Sequence, residues 1–238
     1  MTHICKNCKT RFQGNYCNNC GQTSDTHKLD LHFIWHDVKK GLFHYDSGIF
    51  YTAKELFTRP GNTIREFIQG KRIKHFKPIS LVLILATFYA FLYHTFNVGF
   101  YIQENSSADS QKFLNFITTH FSWVTLATIP LYTLGTFICF RKQGYNYVEF
   151  FILNTYKASQ RLFLRIFTFP VIFYFDNSLA TKKIYLVYYI CDLILTYWTN
   201  SQFFNKLALL KTLGLTLLSH LIFLIALIVV IALINLFL

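Results

Sequence analysis

Four cysteines stand in the first 20 residues as two matched pairs, Cys5-x2-Cys8 and Cys17-x2-Cys20, with eight residues between the pairs. A CxxC pair turns both sulfurs toward one ion, and two pairs complete an all-sulfur tetrahedron, the chemistry of a structural zinc site. A closed set of four thiolates keeps no position open for water, so it holds structure and does not catalyse. One such Zn would contribute on the order of 10 kcal/mol of folding free energy to a segment with almost no core. Metal-ligand spacing also argues for a reducing compartment and against a secreted disulfide framework. Lys6, Lys9 and Arg11 form a small basic face, with Phe12 and Tyr16 between the knuckles. In so small a ribbon those aromatics are expected to serve its own packing, which leaves nucleic-acid binding unsupported.

Three other groups of residues carry chemistry. His32 and His36 lie four apart on a predicted helix, with Asp37 and His44 following, a spacing that can hold a metal on one helix face. No HExxH pattern accompanies them, and "HFIWHDV" reads better as an interfacial helix with amphipathic rings. Lys71, Arg72, Lys74 and Lys77 crowd the residues before Pro78, either to recognise anionic lipid or as an ordinary cytoplasmic anchor. Lys157, Arg161 and Arg165 repeat every four residues on one helix face, and Asp192 sits inside a later apolar stretch. Each charge is expensive at bilayer depth, so Arg165 and Asp192 are expected to pair, fixing helix register or lining a polar path. No nucleophile elbow, phosphate loop, HExxH or kinase set is present, so no catalytic residue is assigned.

The elements that must position these residues are helices in a membrane. Hydrophobic residues make up 53% of the 238-residue chain and charged residues 14%, with 27 Phe and 15 Tyr. Residues 79–103, 113–140 and 212–238 contain no Asp, Glu, Lys or Arg. Each run exceeds the roughly 20 residues that a helix needs to cross a hydrocarbon core. The expected architecture is an all-α polytopic bundle of about five transmembrane helices, near 79–98, 119–140, from about Val148, 184–204 and 215–238. It is capped by a zinc ribbon over 1–22 and by short amphipathic helices over 23–78, leaving 79–238 as the membrane bundle. Three helices are predicted before the first span: Leu29–Phe43, a second ending before Pro60, and a third with Asn62 as N-cap and Gly70 at its stop.

Charge placement sets an expected orientation. Residues 1–78 hold 13 of the 23 Lys and Arg. No cleavable signal is read at the N-terminus, so the first span is expected to act as its own insertion signal. Five spans then put the N-terminus in the cytoplasm and the C-terminus outside a bacterial inner membrane. The thiolates would lie in the compartment that keeps them reduced.

As a whole, the chain resembles a domain-of-unknown-function family of bacterial membrane proteins common in Bacteroidetes. The resemblance is carried by CxxC…CxxCGQ, "ELFTRPG", "IREFIQGKR" and "KPISL". Lys9 follows Cys8 where such knuckles often have Gly. The resemblance implies a zinc-ribbon inner-membrane protein and supplies no activity. The leading reading is a non-enzymatic cytoplasmic platform that docks a protein partner among membrane lipids. Its rivals are a transporter or channel component using Arg165 and Asp192, and a membrane-embedded lipid enzyme using His32, His36 and His44. The resemblance adds a remote third: a membrane accessory of an RNA-targeting CRISPR system.

Overall fold

The computed structural model describes residues 2–24, 26, 29, 30, 33, 48–96, 116, 119–175 and 179–237. Two short strands, β1 (Thr2–Ile4) and β2 (Arg11–Gln13), pair antiparallel with His3 opposite Phe12 and Ile4 opposite Arg11. Eight α-helices follow among the described residues. They are α1 (Gly48–Thr58), α2 (Pro60–Ile68), α3 (Pro78–Thr95), α4 (Phe121–Phe140), α5 (Tyr147–Phe167), α6 (Phe169–Tyr174), α7 (Leu179–Phe203) and α8 (Leu209–Phe237).

The expected second and third helices are α1 and α2, and their limits follow from local chemistry. Pro60 takes the first position of α2, where its missing N–H costs nothing. Asn62, expected as the N-cap, therefore lies inside the first turn and accepts instead from Arg65 Nη2 at 2.6 Å. Gly70 ends α2 with φ +107°: its N–H donates to Phe67 O, and Lys71 N–H donates to Glu66 O, each at 3.0 Å. Those two bonds make a Schellman motif. Of the expected helix Leu29–Phe43, Leu29, Asp30 and Phe33 are described. Asp30 Oδ1 accepts from Phe33 N–H at 2.8 Å, and Leu29 is buried in the main core.

The long helices alternate in direction. The ends of α4 and α7 meet through the stacked rings of Phe140 and Phe204, 4.2 Å apart. The end of α3 meets the start of α7 through the Tyr93 and Tyr185 hydroxyls, 2.9 Å apart, and the start of α4 through Tyr89 and Phe121. α4 packs on α5 and α8, and α7 packs on the same two, so these four helices form a ring, with α3 against α4 and α5. A capping box fixes the start of α5: Asn146 Oδ1 accepts from Glu149 N–H, and Glu149 Oε2 accepts from Asn146 N–H.

Five spans were expected, and that number is not supported. Among the described residues, three helical segments are long and apolar enough to cross a bilayer: Pro78–Thr95, Phe121–Gln143 and Leu209–Leu233. α5 and α7 have the length, at 21 and 25 residues, but their polar side chains lower their apolar content. Those side chains bond inward. Asn154 donates to Thr133 and Thr136 of α4, and Gln160 donates to Leu56 O and accepts from Thr199 of α7. The apolar side chains of α8 point the other way, with Leu210 82% and Ile228 65% exposed, which suits hydrocarbon surroundings.

α2 is seated on the end of α7 at close range. A Cβ at Gly61 would lie 2.3 Å from Phe203 N and from Thr199 O, both backbone atoms that cannot swing aside. Gly61→Ala is therefore expected to cost about 3 kcal/mol or more through forced separation of the two helices. Gly214, on α8, has open space around it. Gly214→Ala should leave stability unchanged or raise it by up to about 1 kcal/mol. Thermal melts of the two detergent-solubilised variants check the contrast; equal melting would mean that the α2–α7 approach does not limit stability.

Candidate functional site

The ribbon is built from two copies of one turn. Lys9 N–H donates to Cys5 O at 3.0 Å, and Gly21 N–H donates to Cys17 O at 2.8 Å. Cys5 N–H and Cys17 N–H then close the turns on Thr10 O and Gln22 O. In each copy the residue after the second cysteine has a left-handed backbone, Lys9 at φ 65° and Gly21 at φ +74°. That conformation costs Lys9 roughly 1–2 kcal/mol, which explains why Gly suits the position.

The two turns bring all four sulfurs within 4.8 Å of one another, a group able to hold a metal ion. Cys5 and Cys20 Sγ are 3.5 Å apart, as are Cys8 and Cys17 Sγ. A disulfide needs about 2.0 Å. A tetrahedron with sulfur bonds of about 2.3 Å has edges of about 3.8 Å, so the donor set fits an ion of zinc's size. Burial pushes the Cys5 thiol up to about 11. The Thr10 hydroxyl and N–H draw Cys8 down to about 6, and the Asn7 side chain draws Cys20 down. The ribbon's own core is Cys5, Phe12 and Cys17, separate from the core of the bundle.

Gln22 joins the ribbon to the helices. Its side chain donates to Gly70 O at 2.8 Å and accepts from Arg72 N–H at 3.2 Å, so both ends of one buried amide are engaged. The Lys6 stem lies against Gly70, with Cδ 2.6 Å from where a Cβ would stand, so that turn excludes any side chain. From the last turn of α2, Arg65 donates to Gln202 O and Phe203 O at 3.1 and 3.2 Å, capping α7. Nothing in local sequence pairs Gln22 with Gly70 or Arg65 with α7. The nearest signal is polar residues inside otherwise apolar motifs.

The basic segment before α3 is more structured than a row of solvated cations. Lys71 pairs with Glu66 at 3.3 Å, and the Arg72 guanidinium lies over Phe33 and Phe67, 5.0 and 5.5 Å from the ring centres. Lys74 Nζ lies 5.9 Å from the Tyr51 ring, and Lys77 is the N-cap of α3. His75, among them, is buried beside Tyr51 and Phe67. His32, His36 and His44 lie outside the described residues.

Inside the ring of α4, α5, α7 and α8 is a cavity of about 300 Å³. Arg161, Arg165, Asp192, Tyr132, Tyr189 and His220 line its polar wall. Arg165 Nη2 is 3.7 Å from Asp192 Oδ2. His220 bridges two tyrosine hydroxyls, with Nδ1 3.0 Å from Tyr132 and Nε2 2.9 Å from Tyr189. His220 was missed because its helix was read by counting Asp, Glu, Lys and Arg. An ionisable ring in the most apolar helix was the available signal.

Two outcomes follow. Purified protein should carry about one Zn per chain on four sulfurs near 2.3 Å by X-ray absorption. Cys5→Ser should release the metal and unfold the ribbon while the bundle stays inserted; metal-free protein whose thiols alkylate freely under native conditions would contradict this. The second outcome concerns pH. Burial lowers His75 from 6.5 to about 4, so the unfolded chain takes up this proton first as pH falls. The associated stability is complete above pH 6.5 and is lost as pH falls toward about 4. Melting temperature should drop across that window, and His75→Leu should flatten the drop; an unchanged slope would assign it to other groups.

Residues 46–90, which cover α1, α2 and most of α3, match a family described as a protein of unknown function (DUF3667). The matched segment contains Gly61, Arg65 and Gly70, the residues that seat α2 on α7 and receive the ribbon. No curated protein and no solved structure matches the chain.

Proposed function

We propose that the protein is a docking platform of the bacterial inner membrane, with a zinc-clamped ribbon presented to the cytoplasm and the C-terminus outside. The observation that supports this most is the rigid attachment of ribbon to bundle through Gln22, Gly70 and Arg72. A ribbon held this way offers its free face at a constant height and angle to the membrane. A flexible tether would not.

The free face has recognisable chemistry. Ile4 and Arg11 are cross-strand partners and so share one side of the hairpin, opposite the buried Phe12. Ile4 is 62% exposed and Tyr16 is 63% exposed, and the ribbon also exposes Lys9 and Arg11, the cross-strand partner of Ile4. Apolar anchors among cations fit a protein surface that is acidic around an apolar recess. The closed sulfur set supports a structural role for the metal, and the excess of Lys and Arg before α3 supports the cytoplasmic placement.

A photo-crosslinking amino acid in place of Ile4, activated in intact membranes, should give one discrete protein adduct. Arg11→Glu should reduce that adduct at least about fivefold without altering zinc content. Adducts to lipid alone, or a yield indifferent to Arg11→Glu, would count against docking at this face. A C-terminal reporter active in the cytoplasm would reverse the orientation.

A further inference from the structure

Among the described residues, the cavity within the helix ring carries one more cation than carboxylate. Arg161 and Arg165 stand one turn apart on the same face of α5, and both line the space with Asp192. Asp192 faces Arg165 at 3.7 Å. The ion pairs among the described residues join carboxylates to Arg59, Lys71 and Arg165, and none includes Arg161. The Arg161 guanidinium instead lies 5.4 Å from the centre of the Tyr132 ring. His220 has a tyrosine hydroxyl at each ring nitrogen, so its hydrogen-bonding capacity is met by protein. Two guanidinium groups and one carboxylate leave a net charge of one.

The rest of the lining includes apolar side chains. Phe121 and Val124 of α4 and Phe223 and Leu224 of α8 are among them, and both helices belong to segments able to cross a bilayer. The space therefore brings cations and hydroxyls together with apolar side chains of two helices able to cross a bilayer. An unpaired guanidinium at this depth is costly, and the cost disappears when an anion enters beside it.

We propose that this cavity binds a phosphate oxyanion, with Arg161 as its main contact and Arg165 as a second contact shared with Asp192. Guanidinium groups one turn apart can grip different oxygens of a tetrahedral phosphate, which a planar carboxylate matches less well. A phosphodiester carries one negative charge, the charge that the cavity lacks. The apolar part of the lining makes the phosphodiester of an anionic lipid headgroup the expected source, with free inorganic phosphate as the other source of the same chemistry. This binding is independent of the ribbon and of any partner docked there.

The test uses the full-length protein in lipid nanodiscs and in detergent. Native mass spectrometry should show one tightly retained phosphatidylglycerol per chain and no equivalent retention of phosphatidylcholine. Inorganic phosphate, titrated into delipidated protein and followed by thermal shift, is the second arm. Arg161→Gln should weaken binding about tenfold or more, and Arg161→Lys should recover part of it. Thr125→Val, an isosteric change in the cavity wall that leaves every charge in place, should weaken binding by a few fold even if Arg161→Gln does not fold. Retention of phosphatidylglycerol that these variants reduce supports the lipid source; saturable phosphate binding that they reduce, without lipid retention, supports the site with a free anion. Binding of neither probe, or binding that Arg161→Gln and Thr125→Val leave unchanged, overturns the proposal.

Discussion

The end of α7 leaves carbonyls that no further helical turn can satisfy, and α2 supplies the missing donors. Arg65 reaches across from α2 to two of them, placing a cation at the negative end of a 25-residue helix. Gln202 of the same helix returns the favour by accepting from Gly61 N–H at 3.2 Å. This exchange works only at backbone-to-backbone range, which is why position 61 has no side chain. Once α2 is seated, its other end is placed as well. There the Schellman turn at Gly70 presents a free carbonyl to Gln22, and the ribbon lands on it. One helix end thus positions the next, and the four-sulfur cluster sits at the end of that series.

The ribbon would draw on a metal and on its seat for different reasons. Cys5, Phe12 and Cys17 are its whole core, far too little apolar area to offset the entropy of ordering about twenty residues. A metal held by the four sulfurs would supply the missing free energy but would say nothing about orientation. Orientation comes from Gln22, whose amide donates with nitrogen and accepts with oxygen on adjacent peptide units. A hydroxyl or a single charge could make one of these bonds and still pivot. The planar amide cannot.

What the sequence made legible was local. Two CxxC pairs announce the sulfur cluster because ligand spacing is a property of the turn itself. Gly70 announces the stop of α2 because its positive φ admits little else. Asn146 and Glu149 also spelled a capping box, a local signal that went unused. The rest depends on distance through space. Arg65 and Gln202 are 137 residues apart, and Gln22 and Gly70 are 48 apart, so no period or spacing connects them. The count of five spans failed for a related reason. The outline of the bundle was visible in its apolar runs, whereas α5 and α7 differ from the other long helices in what their inner faces bond to.

That difference exposes an asymmetry inside the bundle. Several of its neutral polar groups are closed by protein: Asn154 by threonines of α4, Gln160 by α1 and α7, and Tyr156 by Phe76 O at 2.8 Å, whereas Asn200 Oδ1 of α7 is buried with no partner among the described residues. Each such bond stabilises modestly and holds two helices in register, because breaking it would strand a buried dipole. Charge does not follow the same pattern. Lys157 is fully enclosed, with Asn154 Oδ1 as its hydrogen-bond acceptor at 3.3 Å, and Arg161 one turn later turns toward open space. A neutral group is satisfied by a neighbour of matching geometry, which packing alone can supply. A cation needs a counter-charge, and the carboxylate nearest to this stripe already faces Arg165. Arg161 is half-buried, and no ion pair among the described residues includes it. Its position on the wall of a cavity, and not in packed core, leaves space beside the guanidinium for a group the fold itself does not contain.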